Sequence, residues 1–360
     1  MTSAPKHPRL AYIDWARGIA VLLMIEAHAV DAWTRLAERR STAYRDAIVL
    51  GGFAAPLFLW LAGLGVVLAA TATLKRGGSR REATAAVCRR GLEIFVLAFL
   101  FRLQAFIVSP GGHPITLFRV DILNIMGPAI IAAGLVWAIA ESPLILAALY
   151  AALTMCVAMA TPIVRTLGAL DVLPMWMQWY IRPAGEYTTF TVFPWAGFLF
   201  AGAAVGVVLS SARMSRHRVH AAFGAAGLML VWIGFYTASL PAIYRESSFW
   251  TSSPTYFSIR LGVILAAFGA LYAIEQVANR YAVAFPGLEL FGRRSLFVYW
   301  IHVELVYGYA TWPIHRRLPM WGVGLAYVVF AASMYWAAVA FDRWRVSRPK
   351  ITLHGKVQTA

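Results

Sequence analysis

The sequence predicts an all-α protein, a polytopic integral membrane helical bundle of about ten transmembrane helices. Three observations support this class. The chain is 60% hydrophobic, with a mean hydropathy of +0.66. Only 13% of its 360 residues are charged, which is about half the fraction that soluble domains carry. Apolar runs of about 18 to 25 residues recur along the whole length, and a helix of that length crosses a bilayer.

Ten spans follow from these runs, and together they are predicted to form a single transmembrane domain over residues 1–360. The first run is too long for a signal peptide and lacks a small-residue cleavage site, so we interpret it as an uncleaved insertion signal. The predicted spans are residues 13–33, 48–73, 88–107, 119–140, 143–162, 190–210, 220–241, 256–277, 295–312 and 321–342.

Lysine and arginine predict the orientation of the bundle. With the N-terminus inside, the cytoplasmic segments hold 19 basic residues and the external segments hold 9. Because basic residues concentrate in cytoplasmic loops, we expect both termini, residues 1–12 and 343–360, on the cytoplasmic face of the inner membrane. The same rule explains the net charge of +16 without a nucleic acid partner, and membrane lipid is the expected surrounding.

The first span carries more charged side chains than a lipid-facing helix tolerates. A charge at membrane depth is costly unless it is paired or faces a wet cavity, so these residues predict a functional site. At 100° per residue, Glu26 points away from a polar face about 100° wide. That face is formed by Asp14, Arg17, His28 and Asp31.

The polar face divides into two predicted roles. His28 is predicted to be a catalytic general base, with Asp31 one turn further accepting a hydrogen bond from its imidazole; a packed core histidine is the alternative. Asp14 and Arg17 are predicted to bind the cofactor at the cytoplasmic end, and a local i, i+3 ion pair is the alternative. Arg17 lies about 16 Å from His28 along the axis, so it is not expected at the reacting atoms.

The most basic stretch, residues 75–90, contains the pair Arg89 and Arg90. A cationic surface of this kind attracts polyanions such as a phosphorylated cofactor or anionic lipid headgroups. Arg89 and Arg90 are therefore cofactor-binding candidates, and the alternative is a loop that only sets the membrane topology.

Two later spans and one isolated arginine supply substrate or oxyanion candidates. Asp121 and Asn124 share a helix face in the stretch FRVDILNIMGP, and Ser295, Tyr299, His302 and Tyr309 share one in the span SLFVYWIHVELVYGY. In both places hydrogen bonding between helices is the alternative. The isolated arginine is Arg260, and snorkelling to the interface is its favoured interpretation. These candidates are Arg119, Asp121, Asn124, Arg260, Tyr299 and His302.

The sequence offers no support for a metal or thiol centre. Two cysteines, Cys88 and Cys156, sit in or beside apolar segments, and a disulfide framework, a zinc site and a thiol nucleophile all lack the residue spacing they require. No metal is expected. A nucleotide-cradling glycine loop and a nucleophile elbow are also absent.

The opening stretch RLAYIDWARGIAVLLMIEAH resembles the first helix of type-3 membrane acyltransferases, which have an arginine, ten residues and then a histidine, here Arg17 and His28. The remainder is similar to the branch of heparan-alpha-glucosaminide N-acetyltransferase-like proteins. The stretches that carry this similarity are GGFAAPLFLWLAGLGV, FRVDILNIMG, TVFPWAGFLFAGAAVG and LFGRRSLFVYWIHVELV.

The resemblance implies transfer of an acetyl or acyl group from a cytoplasmic CoA thioester to an acceptor at the outer face or in the membrane. His28 is then the expected catalytic histidine. In the heparan branch an asparagine commonly stands at this position and the reactive histidine follows in the next loop, but residues 32–47 here contain no histidine. This departure favours direct transfer, with His28 as base, over a covalent acetyl-histidine relay.

The predicted function is therefore a membrane acyltransferase that uses acetyl-CoA or another acyl-CoA and an amine or hydroxyl of a carbohydrate or envelope acceptor. A homodimer is compatible with the sequence. Two alternatives remain. A proton-coupled transporter or flippase would use the same buried histidine and aspartate residues, and a catalytically inactive member of the fold would use them for stability alone.

Overall fold

The computed structural model describes residues 10–108, 113–188 and 190–347. Within these ranges the chain is helical, with no strand beyond two isolated bridges, Thr34–Leu318 and Val120–Thr188. The α-helices are α1 Ala11–Trp33, α2 Thr42–Gly51, α3 Ala54–Lys75, α4 Arg80–Val108, α5 Ile122–Ile139, α6 Pro143–Thr166, α7 Met175–Ile181, α8 Val192–Ser211, α9 Arg216–Ala238, α10 Pro254–Arg280, α11 Pro286–Arg293, α12 Ser295–Tyr307 and α13 Met320–Ser347.

Eight segments of the described chain are long and apolar enough to cross a membrane, which confirms the prediction of a polytopic helical membrane protein. α1 is long enough but carries four charged side chains, and α12, although apolar, has only 13 residues. The eight are Thr42–Lys75, Arg80–Val108, Ile122–Ile139, Pro143–Thr166, Val192–Ser211, Arg216–Ala238, Pro254–Arg280 and Met320–Ser347.

The second and ninth predicted spans each run across a break in the observed helices. The second, 48–73, is divided by a break at Gly52 and Phe53. The ninth, 295–312, is too long: α12 ends at Tyr307 because Gly308 adopts an extended conformation, and a 3-10 helix follows. The terminal segments predicted to be cytoplasmic lie largely outside the described residues, since 1–9 and 348–360 are not among them.

The chain forms two compact units, Met1–Gly52 with Val283–Ala360, and Phe53–Ala282. The assignment of residues 1–360 to one domain stays a prediction. In the first unit α1 is the central helix and contacts α2, α11, α12 and α13. It approaches α11 backbone to backbone, because a Cβ atom on Gly18 would overlap the carbonyl of Leu288, and one on Gly292 would overlap the carbonyl of Asp14.

The second unit is built from paired helices, chiefly α3 with α8, α4 with α5, α6 with α8 and α9 with α10. The glycine pair Gly202 and Gly206 lies at one of these contacts. A Cβ atom on Gly202 of α8 would overlap the carbonyl of Trp60 in α3, and Gly206 faces Leu64 and Val67 of the same helix. Small residues let membrane helices approach closely, so this part of the sequence serves packing.

Candidate active site

His28 of α1 meets His302 of α12 in the first unit. Nδ1 of His28 lies 3.0 Å from Nε2 of His302, which is hydrogen-bonding distance. The two ring planes differ by only 9°, and the ring centroids are 5.1 Å apart. Two histidines that are 274 residues apart in sequence therefore form a direct imidazole pair.

His302 is the more buried partner, with 0% of the residue exposed. Its Nδ1 lies 2.9 Å from the backbone oxygens of both Val298 and Tyr299, one turn earlier in α12. The ring of Tyr299 contacts the imidazole edge-on, with centroids 6.0 Å apart. His302 therefore has contacts both within α12 and with His28 of α1.

Asp31 lies one turn beyond His28 and is about half exposed, at 52% of its side chain. The hydroxyl of Tyr307 donates a hydrogen bond to Oδ2 of Asp31 at 2.8 Å, and Nη1 of Arg39 lies 3.8 Å from Oδ1. The role predicted for Asp31, orienting the His28 imidazole, stays a prediction. The carboxylate instead has a tyrosine and an arginine as observed partners.

Tyr307 is a residue of this site that sequence reasoning missed. Its ring centroid lies 5.6 Å from that of His28, and its hydroxyl reaches Asp31. The sequence argument placed Tyr309 on the polar face of the ninth span. That was wrong, because α12 ends at Tyr307 and Tyr309 begins the 3-10 helix beyond Gly308. The sequence signal that could have identified Tyr307 is a tyrosine in the last turn of α12.

The N-terminal end of α1 shows the local ion pair that is the alternative to cofactor binding. Nη1 of Arg17 lies 3.4 Å from Oδ1 of Asp14, and the indole nitrogen of the neighbouring Trp15 donates to Glu289 of α11 at 3.4 Å. An i, i+3 ion pair in the first turn also places a carboxylate favourably at the helix N-terminus. Cofactor binding by Asp14 and Arg17 stays a prediction.

Arg89 and Arg90 are exposed on α4 in the second unit. Arg90 pairs with Glu93 one turn later, with 3.0 Å between Nη1 and Oε2. A neighbouring arginine has a clear structural role: Arg80 donates to the carbonyl oxygens of Trp137 and Ala140 and so caps the C-terminal end of α5. The contacts of Arg90 leave its predicted role with a cofactor open.

Asp121 and Asn124 organise the start of α5 in the same unit. Asp121 is the N-cap of the helix. The backbone nitrogen of Asp121 donates to the side-chain oxygen of Asn124 at 3.0 Å, which completes a capping box. The Asp121 carboxylate also pairs with Arg102 of α4. Arg119 is half-buried just before the cap. Hydrogen bonding between helices, the alternative kept for Asp121 and Asn124, is therefore what the structure shows here.

Tyr180 of α7 adds a contact from the segment that precedes α8. Nδ2 of Asn124 donates to the Tyr180 hydroxyl at 3.4 Å. Burial raises the pKa of Tyr180 above its ordinary value, and the hydrogen bond from Asn124 offsets only part of that shift. The phenol is therefore kept protonated as a neutral hydrogen-bonding group.

Arg260 of α10 is held between two aromatic rings. Its guanidinium carbon lies 4.2 Å from the ring centroid of Tyr256 and 5.9 Å from that of Trp195. Such cation–π contacts stabilise a partly desolvated cation by about 1 kcal/mol or more. The two rings are structural partners of Arg260. Neither the snorkelling interpretation nor the substrate-binding interpretation predicts these contacts.

The predicted candidates thus fall into two groups. His28, Asp31, Tyr299 and His302 come together in the first unit, whereas Asp121, Asn124 and Arg260 belong to the second. Among the described residues, no group of three or more His, Cys, Asp or Glu side chains is arranged to hold a metal ion. The imidazole pair is the arrangement best suited to proton transfer.

Comparison with known proteins agrees with this chemistry. No curated protein matches the sequence. The family model described as "Heparan-alpha-glucosaminide N-acetyltransferase, catalytic" matches residues 9–244, a range that includes His28 and ends before His302. Because this range is well over half of the 360 residues, the chain belongs to the heparan-alpha-glucosaminide N-acetyltransferase catalytic family, a family of membrane acetyltransferases.

Proposed function

We propose that this protein transfers an acetyl group from acetyl-CoA, or a related acyl-CoA, to an amine or hydroxyl acceptor, with His28 as the general base. The family supplies the reaction class. The observation that supports the assignment of the base is the 3.0 Å contact between His28 and His302, because a hydrogen bond to one ring nitrogen orients the imidazole of His28.

The proposed reaction is direct. The acceptor nitrogen or oxygen attacks the thioester carbonyl carbon while His28 removes its proton, so one N–H or O–H bond breaks and an imidazole N–H bond forms. The tetrahedral intermediate then collapses, the C–S bond breaks, and CoA leaves as the thiolate, which is protonated by His28 or by water. An oriented histidine base contributes about 10²- to 10⁴-fold to such a step.

The donor is proposed to approach from the cytoplasmic side. Arg89 and Arg90 are exposed cations that would attract the phosphates of CoA before binding. Asp14 and Arg17 would act at the cytoplasmic end of α1. The inner membrane as the location, cytoplasmic termini and a carbohydrate or envelope acceptor complete the proposal.

The acceptor is proposed to meet His28 near Asp31 and Tyr307. These two side chains form a hydrogen-bonded pair beside the catalytic histidine, and Asp31 remains half exposed. A carboxylate and a phenol can both hydrogen-bond a hydroxyl or an ammonium group of an acceptor. Substrate roles for Arg119, Asp121, Asn124 and Arg260 in the second unit stay predictions.

The test uses the purified full chain in lipid nanodiscs with radiolabelled acetyl-CoA and a panel of amino sugars and sugar alcohols. We expect label to appear on an acceptor with wild-type protein and to be lost with His28→Gln. His113→Gln is the matched control, because His113 is exposed and lies in the second unit. Folded wild-type protein that neither binds nor consumes acetyl-CoA would overturn the proposal and favour an inactive or transporting protein.

A further inference from the structure

The geometry of the imidazole pair identifies a hydrogen bond along the line of the two rings. The centroid separation of 5.1 Å exceeds the N–N distance of 3.0 Å by 2.1 Å. This excess arises when the two nitrogens point at each other in nearly coplanar rings, and face-to-face stacking would bring the centroids closer than the observed separation. One of the two nitrogens must therefore carry a hydrogen and the other a lone pair.

The backbone of α12 decides which nitrogen carries the hydrogen. Nδ1 of His302 lies 2.9 Å from two carbonyl oxygens, those of Val298 and Tyr299. Carbonyl oxygens only accept hydrogen bonds, so Nδ1 of His302 is the protonated nitrogen. In the neutral ring Nε2 then carries a lone pair and accepts the hydrogen bond from His28. Nδ1 of His28 is consequently the donor, and its Nε2 carries the lone pair.

From this chain of hydrogen bonds we propose that His302 is a positioning residue that selects the tautomer of His28 and directs Nε2 of His28 to act as the base. The inference rests on the proposed function, since it assigns a nitrogen to the base of that reaction. It also replaces the oxyanion role predicted for His302. Both ring nitrogens of His302 are committed, one to the α12 backbone and one to His28, and 0% of the residue is exposed.

The same hydrogen bond assists the proton transfer. When the acceptor loses its proton to Nε2 of His28, the imidazole becomes a cation whose Nδ1–H still points at the lone pair of His302. Hydrogen bonds from charged donors are roughly twice as strong as neutral ones. The contact therefore strengthens as charge develops, which is the property that favours a transition state over the ground state.

The nature of the partner distinguishes this arrangement from a carboxylate-oriented histidine. Asp31 is held by Tyr307 and Arg39, and the group that contacts Nδ1 of His28 is the imidazole of His302. A neutral acceptor fixes the tautomer without adding a negative charge inside the helix bundle, where an uncompensated charge is costly.

Nitrogen-15 NMR of histidine-labelled protein in lipid bilayers tests the tautomer directly. The His28 signals are identified among the eight histidines by their loss in His28→Gln. In the neutral ring of His28 we expect a protonated Nδ1 and an unprotonated Nε2, with a correlation across the N–H···N bond to His302. A protonated Nε2 on neutral His28 would overturn the inference whatever the activity.

Two variants supply the kinetic arm. His302→Leu removes the acceptor, and we expect kcat to fall about 100-fold while the KM for acetyl-CoA changes less than about twofold. His302→Gln offers a carbonyl oxygen to Nδ1 of His28, and we expect it to recover at least about a tenth of the wild-type kcat. Equal losses in two folded variants would overturn the positioning role. The predicted tautomer without any acetyl transfer would instead overturn the proposed function and leave the hydrogen-bond assignment standing.

Discussion

The ion pair between Arg102 and Asp121 offers a quantitative test of what the start of α5 does in this chain. Each side chain is 14% exposed, so both charges are largely removed from solvent. The perturbation is a double-mutant cycle with Arg102→Met and Asp121→Asn. Asparagine is as good an N-cap as aspartate, so this substitution removes the charge and keeps the helix cap.

The expected change in the free energy of unfolding depends on which of the two charges each variant leaves in place. Removing one partner of a fully buried pair costs about 3–5 kcal/mol because the other charge is stranded. Because both side chains are still partly exposed, the cost is smaller here, and we expect each single variant to lose about 2 kcal/mol of stability. Replacing both partners removes both charges at once, so the double variant should lie within about 1 kcal/mol of wild type.

The assay is thermal unfolding of the purified protein in one detergent at fixed lipid content, with acetyl-CoA turnover measured on the same samples. We expect a coupling free energy of about 3 kcal/mol and turnover in the double variant close to wild type. Strictly additive effects on stability would refute the ion pair. A double variant that is as stable as wild type but inactive would refute the structural interpretation and give Asp121 a role with substrate.

Three further predictions use the same preparation. Gly18→Ala should destabilise the protein by about 1–3 kcal/mol in thermal unfolding, because the added Cβ atom would overlap the Leu288 carbonyl. The control is Gly324→Ala, where the added Cβ atom meets open space, and this variant should be neutral or slightly stabilising. Tyr307→Phe removes the hydrogen bond to Asp31 and should raise the KM for the acceptor with less effect on the KM for acetyl-CoA, as steady-state kinetics will show; an unchanged acceptor KM would exclude that contact. Since the pKa of Tyr180 is raised in the folded state, the unfolded chain loses this proton first as pH rises through about 10, so stability should fall there. Tyr180→Phe should lessen that fall in unfolding curves recorded between about pH 9 and 11; an identical pH dependence would contradict it.

Periodicity predicted the helices and which side chains share a face, but not which helices meet. His28 was assigned to a polar face of α1 from spacing alone, and His302 to a polar face of α12. Their contact depends on packing between segments that are 274 residues apart, and no local pattern encodes that distance. The Arg102 partner of Asp121 was missed for the same reason.

Helix ends were the second source of error, and they altered the site. A one-residue break at Gly308 ends α12 before Tyr309, which makes Tyr307 the tyrosine next to Asp31. For Arg260 the sequence favoured snorkelling to the interface, which stays a prediction, and it did not reveal that Tyr256 and Trp195 lie beside the guanidinium. Composition and apolar length, by contrast, were sufficient to predict the membrane class, because the bilayer itself imposes those requirements.

The central claim is that His28 is the base for acetyl transfer, and a single-turnover measurement tests it most directly. Wild-type protein and His28→Gln, each saturated with labelled acetyl-CoA in nanodiscs, are mixed with an accepting amino sugar and quenched over time. We predict that the rate of acetyl transfer falls by at least about 10²-fold in His28→Gln while acetyl-CoA binding is retained. Transfer at the wild-type rate by folded His28→Gln would contradict the account.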